Sequence, residues 1–104
     1  MANVFKNYIA NSVGTSPVGL TCSSGVITII GMTICNSNPS GTNVLATSYI
    51  GSQYITYNSI LVPKSTLVLV GGDQKLVLEA GDSILTYSDT IGALDIIISY
   101  MQTT

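Results

Sequence analysis

The chain reads as an all-β protein: a single-domain, antiparallel β-sandwich, jelly-roll-like, with about eight strands. Three observations predict this. Val, Ile, Thr and Tyr recur throughout, side chains that suit a pleated, half-buried surface. Clusters of Gly, Asn, Ser, Asp and Pro return every 8–12 residues or so, the spacing of short strands joined by turns. A length of 104 residues suits one domain, 1–104, that is long enough to bury a core.

Each element has its own signal. Residues 4–12 form the first strand, and 1–12 read either as that strand or as an N-terminal arm. Residues 15–17 turn the chain into a short strand at 18–22, and Ser23-Ser24-Gly25 turns it again. Residues 26–36 make the longest strand. Strict alternation puts Ile30, Met32 and Ile34 on one face and Ile27, Ile29, Thr33 and Cys35 on the other. Gly31, in its middle, signals a bulge or a close backbone approach.

The loop NSNPSGT at 36–42 is pure turn chemistry. Strands at 43–50 and 53–61 flank Gly51-Ser52, which fits a two-residue hairpin. Pro63 has no N–H for a ladder, so Pro63-Lys64 breaks the sheet. Strands at 66–70 and 75–79 follow, joined by Gly71-Gly72-Asp73-Gln74, where glycine supplies positive φ without a Cβ clash. Ala80-Gly81-Asp82 leads into a strand at 83–88, residues 89–93 turn, and 94–101 close the domain. That last strand is apolar on both faces except at Asp95 and Ser99. A half-exposed strand alternates cleanly. Ile97 and Met101 therefore either face another subunit or lie under a loop or the N-terminal strand.

Composition narrows function. The chain is 46% hydrophobic but only 8% charged, where about 25% is ordinary. Its surface is expected to be coated with Ser, Thr, Asn and Gly and partly covered by partners. Lys6, Lys64 and Lys75 are its only cations, and they are scattered. Nucleic acid and anionic membranes need clustered cations, so neither is an expected partner. No apolar stretch approaches the roughly 20 residues of a membrane helix. The opening MANVFKNYIANSV lacks a basic segment followed by an apolar one, so synthesis in a cytoplasm without Sec export is expected.

Catalytic chemistry is thin. There is no His, hence no imidazole base or proton shuttle. Cys22 and Cys35 cannot make a zinc site alone. They read as small apolar side chains, or as a bridge if their strands pair. Glu79 with Asp82 has the composition of a glycosidase pair, but they flank a tight turn, where Asp caps backbone. Gly71-Gly72-Asp73 lacks the Lys-Ser/Thr of a phosphate loop. Asp73, Asp82 and Asp89 are too spread for a calcium site. No enzyme activity, metal or cofactor is expected. Tyr49, Tyr54 and Tyr57 gather around one hairpin, as core or interface residues or as a carbohydrate platform.

One stretch carries more than fold. VPKSTL at 62–67, GGDQKLVLEAGDSI at 71–84 and DIIISY at 95–100, with the strand end ICNSN at 34–38, resemble a group of small virion structural proteins of tailed bacteriophages, of the marine cyanophage type. The likeness spans about two-thirds of the chain and is strongest over 71–84. It implies a capsid decoration or cement protein, located on the virion, bound to the major capsid protein and assembled as a homotrimer. It implies no catalytic residue. The alternatives are a tail, neck or fibre-associated subunit and a carbohydrate-binding module that contacts the host surface. The expected interface residues are Phe5 and Tyr8, in an arm over residues 1–8, with Ile97 and Met101.

Overall fold

The computed structural model describes residues 3–38, 40–71 and 75–103. Nine strands form among them: β1 (Asn3–Val13), β2 (Val18–Thr21), β3 (Val26–Asn36), β4 (Val44–Ile50), β5 (Gln53–Leu61), β6 (Thr66–Val70), β7 (Leu76–Glu79), β8 (Ser83–Ser88) and β9 (Leu94–Thr103). They make two antiparallel sheets. One runs β1-β9-β3-β6, with β7 also on β3, and the other runs β2-β8-β4-β5.

The chain changes sheet at every connection but two, the β4–β5 hairpin and the link from β6 to β7. β6 and β7 pair with successive halves of β3 and act as one interrupted strand. Counted so, the sandwich has eight strands in the double Greek-key order of a jelly roll.

The interruption has a physical partner in β3. Ile29 lies opposite Tyr100 and Gly31 opposite Ser99, so Ile30 is an extra residue in a bulge. On the other side of β3, pairing passes from Leu76, opposite Ile29, to Val70, opposite Met32. The end of β6 and the start of β7 therefore flank the bulge. Gly72, Asp73 and Gln74 of the expected Gly-Gly-Asp turn lie outside the described residues.

The bulge corrects the face assignment read from alternation. Ile27 and Ile29 are buried together with Met32 and Ile34, because the extra residue resets the parity between them. Thr33 and Cys35 take the outer face. The bulge itself is where Gly31 placed it. No close approach is involved: a Cβ on Gly31 would meet nothing nearer than the Val70 carbonyl at 3.8 Å.

Between the sheets Ile27, Ile29, Met32, Ile34, Ile96 and Ile98 meet Val44, Ala46, Leu61 and Ile84 in a continuous core. Each such aliphatic side chain contributes about 1.5–3 kcal/mol through burial. The core admits one polar pair, Ser48 and Thr86, whose hydroxyls satisfy each other at 2.7 Å.

The turns match their residues. Gly51 has φ of 60° at the first central position of the β4–β5 loop, the place glycine takes in a type II′ hairpin. Val62-Pro63-Lys64-Ser65 closes with Ser65 N–H donating to the Val62 carbonyl at 3.1 Å, and Lys64 takes φ of 64°. Both cysteines are free thiols, Cys22 buried in the core and Cys35 half-buried. Of the two readings of the N-terminal segment, arm or first strand, the described residues form the strand: Asn3 to Ala10 pair residue by residue with Thr103 to Ile96 of β9.

Candidate interaction surface

The outer face of the five-stranded sheet is built by register. Residues directly opposite one another share a face. Ile9 lies opposite Ile97, Ile97 opposite Thr33, and Thr33 opposite Val68, which makes one row across β1, β9, β3 and β6. Phe5, Met101, Thr28 and Val77 make a second row across β1, β9, β3 and β7. Asn7, Ser99 and Gly31 run between them as a polar row.

The face is open. Phe5 is 73% exposed, Val68 62%, Ile9 61% and Ile97 48%. Neither a loop nor β1 covers Ile97, since β1 lies beside β9 in the sheet and not over it. No charged side chain stands in these three rows; Asp95 and Glu79 occupy the rows beyond them. A contiguous patch this apolar and this free of charge is a candidate contact surface.

Three of the four expected interface residues, Phe5, Ile97 and Met101, meet on this face. Tyr8 does not. It lies opposite Ile98, on the other side of β1, and packs half-buried against the core. Ile9, Val68 and Val77 belong to the surface and were missed. Ile9 was within reach, two alternations on from Phe5. Val68 and Val77 needed the pairing of β6 and β7 to the two halves of β3.

Three carboxylates, Asp82, Asp89 and Asp95, accept from backbone N–H groups. Asp82 accepts from the Glu79 N–H at 3.0 Å across their shared turn. Asp89 accepts from the Leu45 N–H and the Thr90 hydroxyl, both at 3.0 Å, and Asp95 accepts from the Ser12 N–H at 3.0 Å. Among the described residues no three His, Cys, Asp or Glu side chains gather in a way that would hold a metal. No helix there is long and apolar enough to cross a membrane.

The opposite sheet carries a second feature. Tyr49, Tyr54 and Tyr87 step across β4, β5 and β8 with ring centroids 6.2 Å apart and edge-to-face, and Tyr57 stands 4.5 Å from Tyr54. Tyr49, Tyr54 and Tyr87 line a cleft of about 320 Å³ with Gly51 and Ser52. The hairpin tyrosines were legible in sequence. Tyr87 joins them only because β8 pairs with β4.

No protein-family model, curated protein or solved structure matches the chain.

Proposed function

We propose that the chain is a non-enzymatic structural protein of a phage virion: a capsid decoration protein that binds the outer surface of the major capsid protein lattice and stabilises the head. The observation that carries this reading is the open, uncharged face of Phe5, Ile9, Ile97, Met101, Val68 and Val77 on a rigid sandwich. The resemblance over residues 62–84 and 95–100 supplies the virion context and the trimeric assembly that belongs to the same proposal. Jelly rolls serve viral capsids among other uses, an analogy of fold that adds little by itself.

Ile97 tests the reading. Ile97→Asp changes an exposed side chain, so the melting temperature is expected to stay within about 3 °C of the parent. Occupancy on purified heads, read by cryo-microscopy or co-sedimentation, is expected to fall about tenfold or more, because an unpaired charge would enter a desolvated contact. Undiminished binding by the variant rejects this face as the docking surface. A copy number of one or a few per virion sinks the decoration role and favours the tail or neck alternative.

The tyrosine cleft favours a second reading, a carbohydrate-binding module facing the host. Aromatic rings beside the Ser52 hydroxyl, with no charged side chain in the lining, suit a neutral sugar. A glycan array that shows no binding removes it.

A further inference from the structure

The longest edge in the molecule is the free side of β1. Every second residue from Asn3 to Ala10 turns its N–H and C=O away from β9, and nothing among the described residues pairs with them. The other edges are short or interrupted. β2 and β7 have four residues each and β6 has five. β5 is broken by register shifts against β4 and by Asn58 at φ of 48°. β1 has no such protection before its irregularity between Ala10 and Val13.

We propose that β1 pairs antiparallel with β1 of a second copy, about a two-fold axis through Asn7. Three features of the strand select a second copy and this register. First, the register joins like to like on the outer face. Phe5 falls opposite the partner's Ile9, Ile9 opposite the partner's Phe5, and Asn7 opposite itself. The row Val68–Thr33–Ile97–Ile9 of one copy then continues into the row Phe5–Met101–Thr28–Val77 of the other, and the polar rows meet at the axis. A shift by two residues sets Asn7 against an apolar row, and a shift by one turns the side chains to the wrong face.

Second, the register uses the whole regular part of the edge, Val4 opposite Ala10 through to Ala10 opposite Val4. Third, charge permits it. Lys6 is the strand's only charged side chain, and it falls opposite a Tyr8 ring, where an ammonium is attracted, instead of opposite Lys6. The resulting dimer carries one sheet through both copies. Seven paired residues a side are fewer than the roughly 20–30 of a standard interface, so association in the micromolar range is expected. This contact uses the β1 edge alone and stands apart from the virion reading and from any three-fold contact.

Cross-linking of the purified full chain tests it without a capsid. In a Cys35→Ser background, Asn7→Cys is expected to form a disulfide-linked dimer under mild oxidation, because residues opposite across a two-fold pair stand about 4.5–5.5 Å apart at Cα. Asn3→Cys, four residues from the axis, is expected to stay unlinked. Ile9→Asp, an exposed change that sets a carboxylate against the Phe5 ring twice per dimer, is expected to weaken self-association about tenfold or more in sedimentation velocity. Three results would overturn the proposal: linking at Asn3 as readily as at Asn7, a wild-type chain monomeric at several hundred micromolar, or an assembly indifferent to Ile9→Asp. Capsid binding by a chain that shows no Asn7 cross-link would leave the decoration reading intact while removing this one.

Discussion

Gly19→Ala is expected to destabilise the domain by about 3 kcal/mol, near the upper end of what overpacking costs. A Cβ at Gly19 would overlap the carbonyl oxygen of Ile84 and crowd the Leu85 backbone. The obstacle is main chain, so no rotamer change relieves it. β2 would have to move off β8, and that movement costs more than one contact. Gly19 pairs with Leu85 and Leu20 with Ile84, while the Cys22 N–H donates to the Asp82 carbonyl at 2.9 Å and the Gly81 N–H to the Cys22 carbonyl at 2.8 Å. Leu20 would leave the core with them. Thermal melting checks this: at about 4–8 °C per kcal/mol for a domain near this size, Tm should fall by roughly 12–24 °C. Gly51→Ala is the control. Nothing lies within 4 Å of its added Cβ, and only the positive φ is penalised, at about 1–2 kcal/mol. A loss at Gly19 no larger than that at Gly51 would show that the strands yield to the added Cβ, since Gly19 has no positive φ to account for a loss of its own.

Gly19 illustrates what a sequence conveals and what it shows. A glycine in a short apolar run carries no mark of which backbone approaches it, since the neighbour comes from β8, more than sixty residues on. Local chemistry was legible. Gly51-Ser52 and Pro63-Lys64 stand where the chain turns, and the Asp82 carboxylate beside Gly81 accepts from the Glu79 N–H across the turn it flanks. Fold class, a two-sheet antiparallel sandwich, followed from that punctuation, because eight short antiparallel strands have few ways to bury one face each; the strand order did not. Parity along β3 did not follow. A single extra residue at Ile30 moves every later side chain to the opposite face, and the pattern of isoleucines is too dense on both sides to reveal the slip.

The candidate surface was half legible for the same reason. Ile97 and Met101 stood out because β9 is apolar on both faces, a local property. Tyr8 was grouped with Phe5 by adjacency, although an odd separation puts them on opposite sides of a strand. The rows that make the surface run across strands, perpendicular to the chain. They exist only once β1, β9, β3, β6 and β7 are in register, and no single segment encodes them.

Asn36→Ala is expected to cost about 3 kcal/mol, through the groups it leaves behind more than the contacts it removes. Asn36 is 2% exposed at the end of β3. Its Nδ2 donates to the Leu61 carbonyl at 2.9 Å and the Thr42 carbonyl at 3.1 Å, and its Oδ1 accepts from the Asn38 N–H at 3.1 Å. One side chain thereby fastens the end of β5 and both ends of the 36–42 loop to the sandwich. Alanine strands the Leu61 carbonyl in a site that water does not reach, and each orphaned buried group costs about 1–3 kcal/mol. Asn36→Asp keeps the shape and separates the causes. Its second oxygen would face two carbonyls that need a donor, so its carboxylate is penalised in the folded state and its protonated form is favoured. Its folded pKa is then raised above the usual value near 3.9. The sign follows: the folded state holds the extra proton, so the variant loses stability as pH rises from about 4, while the parent does not share that loss. Denaturant unfolding of both chains at pH 4 and pH 7 measures it. A deficit for Asn36→Asp that is the same at the two pH values would mean that Asn36 fills space and that its hydrogen bonds are not what holds the loop.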